Sequence, residues 1–399
     1  MQTGLDRAAF FTFLALVAFL PFGIAGQQLG FAATLLLVAC NPAARARLVD
    51  RWRSSPWFRG IVYGIAVWAT ALMIALFAGD AGAGFRELRK FPLMLLTILP
   101  VAVITTAGRE RAAVTVFALA FLLAAIAGLR EQARGLGDHP GRLDGPIGFY
   151  MTSTGVFLQA SLVCLVLALR SAAPRLLHIA AFFTTTAALV FTYTRAAWFA
   201  WLGAAMIAIV LTRSRAGAAA LVVFAGALLV YAPVRERLVT SWDAGYALNV
   251  ERTYLWDAGI SLVREKPVFG WGLQNLEPVI ASHRAPEAKE RLTHLHSNWL
   301  QTAAAMGAVG LAALLHWIVR LYAALGARTK PRSGTQRSAL SIAAIAALTA
   351  FLLHGTLEWN LGDSEVITTL YTIAGLALAA NQRRRTMRPD SSRPPLSNR

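Results

Sequence analysis

The segments Pro233-Val-Arg-Glu-Arg237 and His294-Leu-His-Ser-Asn298 begin and end a long polar interval in a chain that is otherwise apolar. The interval contains six arginines and three histidines. On both sides of it, the sequence consists of apolar runs that reach or approach the roughly 20 residues needed to cross a bilayer. The pattern predicts an extramembrane loop between two groups of membrane helices.

The composition indicates a polytopic, all-α membrane protein. Hydrophobic residues make up 57% of the chain, charged residues 15%, and the mean hydropathy is +0.54, whereas about a quarter of a soluble domain is charged. The net charge of +18 fits the enrichment of Lys and Arg in short cytoplasmic loops. We expect no nucleic-acid binding, because no basic stripe is interleaved with aromatic residues. Cys40 and Cys164 lie in apolar runs and predict neither a disulfide framework nor a thiolate metal site.

The apolar runs predict about twelve transmembrane helices. The predicted spans are 8–23, 29–40, 60–77, 91–106, 113–129, 151–169, 177–192, 198–211, 218–231, 299–325, 340–357 and 366–380. Spans one to nine thus fall within residues 1–232, the loop is 233–298, and spans ten to twelve fall within 299–382. The remaining segment, 383–399, is predicted to be a disordered basic tail.

The charges of the loops predict that both termini are cytoplasmic. In that orientation every inside loop is positive, and the long loop faces out, as long loops can do regardless of charge. Several cations then fall in short outer loops, against the usual tendency, and such departures are candidates for function. The outer-side residues of interest are Arg86, Arg89, Lys90, Arg195, His354 and Glu358, together with the whole loop.

Within the loop, apolar periodicity predicts a helix over 248–263 that Pro267 ends. The Gly270-Trp271-Gly272 turn follows, and it is not a dinucleotide-binding fingerprint because the third glycine and the flanking strand are missing. A second short helix is predicted over 285–292, with Pro286 in its first turn.

Two arginines are candidate anion ligands. Arg195 lies where the seventh span ends and the eighth begins; it is either a residue that extends to lipid phosphates or a planar clamp for a phosphate ligand. Arg252 and Trp256 are four residues apart and share a helix face, which also fits an ordinary amphipathic helix.

The histidines offer further chemistry. If 294–296 were helical, the imidazoles of His294 and His296 would point about 200° apart, so that a single one could face a given cavity. A zinc site formed with His283, a catalytic base and a merely solvated histidine are the alternatives. His354 and Glu358 have i, i+4 spacing and could form a local pair or part of a cavity wall.

The ordered set of these features resembles one family. It comprises Thr-Arg-Ala-Ala-Trp at 194–198, Arg252 with Trp256, Lys266-Pro267 with Gly270-Trp271-Gly272, His-Leu-His-Ser-Asn-Trp-Leu-Gln at 294–301, Gly307 with Gly310, and His354-Gly355 with Glu358. This order is similar to that of the O-antigen ligase and polymerase superfamily of bacterial inner membranes. Many relatives read His-Asn where this chain has His296-Ser297, with Asn298 one residue later.

The resemblance implies a GT-C-like glycosyltransferase that acts on the periplasmic side of the inner membrane, with neither a cofactor nor a metal. Its donor would be undecaprenyl-diphosphate-linked O-antigen and its acceptor lipid A–core, both embedded among membrane lipids. Arginines suit a leaving diphosphate, and a histidine suits deprotonation of a sugar hydroxyl. The predicted base is His296, with His294 as the second candidate. The predicted diphosphate ligands are Arg195 and Arg252, helped by Arg86, Arg89 or Arg264. The predicted supporting residues are His354, Glu358, Trp256 and Asn298.

Two other functions remain open at this stage. A polymerase of the same superfamily would join repeat units to each other. An anion or lipid transporter would show repeated halves and ionisable groups at mid-membrane, whereas the candidate cations here cluster toward one face of the membrane.

Overall fold

The computed structural model describes residues 2–170, 174–243, 245–289, 293–326 and 338–386, and these residues form helices and connecting loops without a strand. The α-helices of this part of the chain are α1 Gln2–Phe19, α2 Ile24–Cys40, α3 Pro42–Ser54, α4 Pro56–Ala78, α5 Ala81–Gly84, α6 Leu99–Val103, α7 Ala107–Arg134, α8 Tyr150–Arg170, α9 Arg175–Phe191, α10 Arg195–Thr212, α11 Arg215–Val230, α12 Ala232–Val239, α13 Ala247–Glu265, α14 Glu277–His283, α15 Asn298–Gly326, α16 Ala339–His354 and α17 Ser364–Thr386. Two 3-10 helices cover Glu87–Thr97 and Asn360–Gly362.

The helix bundle is built around α8, which is buried along almost its whole length and packs against α9, α10 and α16. On the outside of the bundle, large apolar side chains such as Leu29 and Phe77 are exposed. Some buried polar side chains are hydrogen-bonded to one another inside the bundle: the indole N–H of Trp201 on α10 donates to Ser161 Oγ on α8 at 3.0 Å. An apolar exterior around a hydrogen-bonded interior is the arrangement that a bilayer requires.

The described residues contain five helices long and apolar enough to cross a membrane, namely α4, α7, α8, α10 and α15. The number rises to seven if the bent pairs α2–α3 and α11–α12 each count as one span, and α9 and α16 are shorter apolar helices. The all-helical, multi-pass prediction is therefore confirmed. The number of twelve spans stays a prediction.

The predicted fourth span, 91–106, is not a regular α-helix. It consists of the second half of the 3-10 helix Glu87–Thr97, the five residues of α6, and an irregular end. Pro92 lies inside the 3-10 helix and Pro100 lies in the first turn of α6. Because proline cannot donate a backbone hydrogen bond and crowds the preceding turn, two prolines eight residues apart prevent a continuous α-helix here.

In the long loop, the helix predicted over 248–263 is confirmed by α13, which Lys266 caps just before Pro267. The second predicted helix, over 285–292, is wrong in position. The short helix is instead α14, where Asn275 Oδ1 accepts from the N–H of Glu277 at 3.1 Å and Pro278 occupies the first turn. Residues 285–289 are irregular, and 290–292 lie outside the described residues. Most of the predicted tail is outside them too, although α17 continues to Thr386.

The Gly270-Trp271-Gly272 turn inserts into a break in α15. At that break Gly307 has a φ of +61°, and a Cβ there would overlap the backbone of Val268. The carbonyls that the break frees on Ala304 and Ala305 accept from the N–H groups of Trp271 and Gly272, each at 2.8 Å. These two hydrogen bonds fix the loop to the first part of α15, and α15 begins directly after the histidine segment.

Candidate active site

Arg195 connects the helix bundle to the loop. It is the first residue of α10, directly after Thr194 and two residues after Tyr193, whose φ is +52°. The guanidinium donates to Thr240 Oγ1 at 3.0 Å and to Asn249 Oδ1 at 3.2 Å, and it lies 5.5 Å from the ring centroid of Tyr246. The polar side chains that accept hydrogen bonds from Arg195 therefore belong to the loop, and they hold its planar guanidinium in one orientation.

Three more arginines surround Arg195 and come from different parts of the chain. The charges of Arg142, Arg237 and Arg252 all act on Arg195. Arg142 lies over the ring of Tyr150 at 4.2 Å, and Arg237 lies over Tyr193 at 5.4 Å. We refer to Arg142, Arg195, Arg237 and Arg252 as the four-arginine cluster.

The four-arginine cluster concentrates positive charge. Its members are all half-buried, and none forms an ion pair with a carboxylate in the described part of the chain. Burial lowers the pKa of the Arg142 guanidinium, and the nearby charge of Arg237 lowers it as well. Like charges held together at partial burial favour the binding of an external anion. The sequence placed Arg142 in an outer loop but offered no motif to single it out.

The histidine segment 293–297 is not helical, and this changes the relation of its two imidazoles. His296 has a φ of +45°, which is rare for a residue with a side chain. Its ring centroid lies 4.1 Å from that of His294, so the two rings are neighbours, and the separation of about 200° expected of a helix does not apply.

Glu358 holds His296 in place. The Nδ1–H of His296 lies 3.1 Å and 3.2 Å from the two carboxylate oxygens of Glu358. Glu358 is almost fully buried. Burial alone would raise its pKa, but the hydrogen bond and the charge of His296 lower it to about 2. The buried carboxylate is therefore ionised, and it favours the tautomer of His296 that leaves Nε2 as a free acceptor.

His294 has a different environment. Burial lowers its pKa to about 4, and the charges of His296 and Lys90 contribute. Its Nδ1 accepts the backbone N–H of His296 at 3.4 Å, and its ring lies 5.4 Å from that of Trp359. His294 is thus neutral near neutral pH, with Nε2 carrying its proton.

Two of the predicted supporting residues, His354 and Asn298, hydrogen-bond to the segment that follows α16. His354 is fully buried at the end of α16. Its Nδ1 accepts a hydrogen bond from Asn360 Nδ2 at 3.1 Å. His354 does not hydrogen-bond Glu358, which bonds His296 instead. The charge of Arg252 acts on His354, which links the histidines to the four-arginine cluster. Asn298 joins the start of α15 to the loop after α16: its N–H donates to Gly355 at 2.7 Å and its Oδ1 accepts from Leu361 at 3.0 Å.

Three buried donors or acceptors around the site have no hydrogen-bond partner among the described residues. They are His354 Nε2, Asn298 Nδ2 and the indole nitrogen of Trp256. Buried polar atoms are normally hydrogen-bonded, so these atoms are available to a ligand or to water.

Three cavities lie near the candidate site. A cavity of about 600 Å³ includes Arg86, Lys90 and Trp359 in its lining, and one of about 290 Å³ includes Arg89, Lys90, His294, Glu358 and Trp359. A third, of about 390 Å³, lies beside the four-arginine cluster and is lined by Tyr193, Arg237, Thr240 and Tyr246 among others.

Of the predicted arginines, Arg195 and Arg252 come together, whereas the other three do not join them. Arg86 and Arg89 line the two cavities on the side of Lys90. Arg264 is exposed near the end of α13, about 18 Å along the helix axis from Arg252, and lines none of the three cavities.

A metal ion could be held by His294, His296 and Glu358, whose ligand atoms all lie within 4.8 Å of one another. The zinc set considered from the sequence, with His283, is not formed. His283 instead bonds Glu265 Oε1 at 2.7 Å through Nε2, and its pKa is raised by its hydrogen bonds to Val279 and Glu265.

These observations define a polytopic helical membrane protein with a cationic cleft and a carboxylate-held histidine at one end of its bundle. Residues 179–315 match the sequence model of the family described as O-antigen ligase. This match confirms the resemblance to the O-antigen ligase and polymerase superfamily over that part of the chain. The match includes Arg195, Arg252 and both candidate histidines, whereas Glu358 lies beyond it. A search of curated proteins found no match.

Proposed function

We propose that this protein is an O-antigen ligase of the bacterial inner membrane. It transfers the glycan of undecaprenyl-diphosphate-linked O-antigen to lipid A–core on the periplasmic side, with both termini in the cytoplasm. The observation that carries the proposal is the four-arginine cluster, free of carboxylate partners in the described chain, next to a histidine that a buried carboxylate orients.

The four-arginine cluster supplies the electrostatic part of the mechanism. As the bond between the anomeric carbon and the diphosphate oxygen breaks, negative charge collects on the diphosphate. Arg195 and Arg252 stabilise that charge, and Arg142 and Arg237 add to the local potential. Preorganised cations in a partly buried cleft act on the transition state without first having to be reoriented.

His296 supplies the proton transfer. A sugar hydroxyl of the acceptor forms the new bond to the anomeric carbon while its proton passes to His296 Nε2, and undecaprenyl diphosphate leaves. Glu358 stabilises the imidazolium that forms. His294, with its proton on Nε2, is suited to donate a hydrogen bond, which makes His296 the better base. Direct displacement inverts the anomeric configuration.

The test combines purified protein, lipid-linked O-antigen and lipid A–core in the presence of EDTA and without nucleotide. A ligase produces a ladder of lipid A–core bands that carry O-antigen. Longer lipid-linked chains without a ladder would indicate the polymerase, and the absence of any glycan transfer would favour the transporter. Arg195→Ala and His296→Ala should each abolish the ladder without loss of expression, and a normal ladder from either variant would remove that residue from the mechanism.

EDTA also tests whether the reaction needs a metal ion. The proposal expects the ladder to be unchanged, because arginines take the charge that a metal ion would otherwise stabilise. If EDTA stops the reaction and zinc restores it, the three potential ligands His294, His296 and Glu358 hold a metal.

A further inference from the structure

A second group of cations lies near His294. Arg86, Arg89 and Lys90, here called the Arg86 group, belong to the start of the 3-10 helix Glu87–Thr97. Lys90 donates to Glu87 Oε2 at 2.7 Å. Arg86 and Arg89 are exposed, and neither forms a hydrogen bond or ion pair with another residue that the structure describes. Two of the three charges are thus available to a ligand.

Lys90 and Trp359 connect two cavities. Both residues line the 600 Å³ cavity and the 290 Å³ cavity, with the Lys90 ammonium 5.4 Å from the ring centroid of Trp359. The smaller cavity includes His294 and Glu358, and the charge of Lys90 acts on His294. A molecule in the larger cavity therefore has a short path to the proposed base.

The 600 Å³ cavity is lined by charged and by apolar side chains. The charged ones are Arg86, Glu87 and Lys90. The apolar and aromatic ones come from α4, the 3-10 helix, α15 and α17 and include Trp68, Leu72, Phe91, Met94, Met306 and Tyr371. A cavity of this volume can enclose a good part of a ligand. Cations combined with an apolar wall suit an amphiphile with an anionic headgroup.

Two separate cationic sites suit a reaction with two anionic lipids. In an inverting displacement, the acceptor hydroxyl attacks from the side opposite the leaving diphosphate. The four-arginine cluster approaches the histidines through Arg252, and the Arg86 group approaches them through Lys90. Each cationic group can therefore bind one lipid headgroup near the histidines.

We propose that the Arg86 group and the 600 Å³ cavity bind the acceptor, a lipid whose headgroup carries phosphate. Arg86 and Arg89 hold that phosphate, the apolar wall takes part of an acyl chain, and the acceptor sugar reaches His296 past Lys90 and Trp359. This inference rests on the proposed function. It also assigns Arg86 and Arg89 to the acceptor, whereas the sequence predicts them as helpers at the donor diphosphate.

Separate binding measurements test the assignment. The double variant Arg86→Ala/Arg89→Ala alters two exposed side chains, and Arg134→Ala, an exposed arginine at the end of α7 outside the three cavities, is the matched control. Each protein, in nanodiscs, is titrated with lipid A–core and separately with undecaprenyl diphosphate. The double variant should bind lipid A–core at least about tenfold more weakly, because charge-assisted hydrogen bonds are lost. Its Kd for undecaprenyl diphosphate should stay within about twofold of wild type, and Arg134→Ala should bind both lipids normally.

Kinetics and competition complete the test. The double variant should raise the KM for lipid A–core while the KM for the donor and the kcat at saturating acceptor are retained. Weaker binding of undecaprenyl diphosphate, or unchanged binding of both lipids, would overturn the assignment. So would full displacement of lipid A–core by inorganic phosphate, since the cavity would then be a phosphate site. If wild-type protein binds lipid A–core through Arg86 and Arg89 but forms no ladder, the ligase proposal fails and the acceptor site stands.

Discussion

The four-arginine cluster and the histidine pair lie close together, but their charges are balanced in different ways. Arg142, Arg195 and Arg237 lie over tyrosine rings, Arg195 also bonds two neutral side chains, and no carboxylate of the described chain forms an ion pair with any of the four arginines. His296, in contrast, has the ionised, buried carboxylate of Glu358 within 3.1 Å.

We expect this difference to separate anion binding from proton transfer. Clustered cations without ion-pair partners gain most when an anion enters, so we expect an anionic ligand to stabilise the four-arginine cluster. The histidine pair is complete without a ligand, because Glu358 already fixes the ring and its tautomer. The four predictions below test this separation, from the largest expected effect to the smallest.

The largest effect is expected for His296→Ala. Loss of the base should lower the ladder-forming rate by about 10²- to 10⁴-fold, with little change in the Kd for undecaprenyl diphosphate. The rate is measured with purified protein in nanodiscs, and donor binding is measured on the same sample. His283→Ala is the control, because His283 is a histidine of the same loop that bonds Glu265 and lines none of the three cavities. A weakened donor Kd in the His296 variant would contradict the separation.

Arg195→Lys should have a smaller but still severe effect. Lysine retains the charge but cannot reproduce the two hydrogen bonds to Thr240 and Asn249 while also contacting a diphosphate. We expect a loss of about 10²-fold in rate together with weaker donor binding. Arg215→Lys, on an exposed arginine at the start of α11, is the control. Wild-type activity in Arg195→Lys would mean that charge alone is sufficient.

Glu358→Gln should have an intermediate effect of about 10- to 10²-fold, since the amide keeps the shape but loses the charge that stabilises the imidazolium. A carboxyl group with a pKa of about 2 is ionised from pH 5 to pH 8. The loss is measured by ladder assays of wild type and variant at a single pH within that range. A variant rate equal to that of wild type would show that proton transfer does not need the charge of Glu358.

Much of the fold followed from the sequence because membrane helices depend on local composition. Apolar runs located the helices, and Pro267 correctly marked the end of α13. The fourth span could not be predicted, since Pro92 and Pro100 convert an apolar run into a 3-10 helix and a short α-helix. The loop helix α14 was misplaced because Pro278 and Pro286 are both suited to a first helical turn, and among the described residues the segment at Pro278 is the one that forms a helix.

The site was predicted in composition but not in arrangement. Positive-inside counting placed the cations on one side, yet it gave Arg142 no more weight than other outer-loop arginines. The proximity of His294 and His296 depends on the positive φ of His296, which the sequence does not reveal. The partnership of His296 with Glu358 joins residues 62 positions apart, so no local pattern could indicate it.

The smallest effect is expected for Arg264→Ala, tested beside Arg252→Ala on the same helix. Arg252 acts electrostatically on both Arg195 and His354, whereas Arg264 is exposed about 18 Å further along α13. At ionic strengths near 0.15 M, charges separated by more than about 8 Å through solvent are largely screened. Arg264→Ala should therefore change the rate less than about twofold, a typical result for a distant surface charge. Arg252→Ala, in contrast, should lower the rate and weaken donor binding. A comparable loss in both variants would mean that the diphosphate extends along α13, and the four-arginine cluster would then be one end of a longer anion-binding surface.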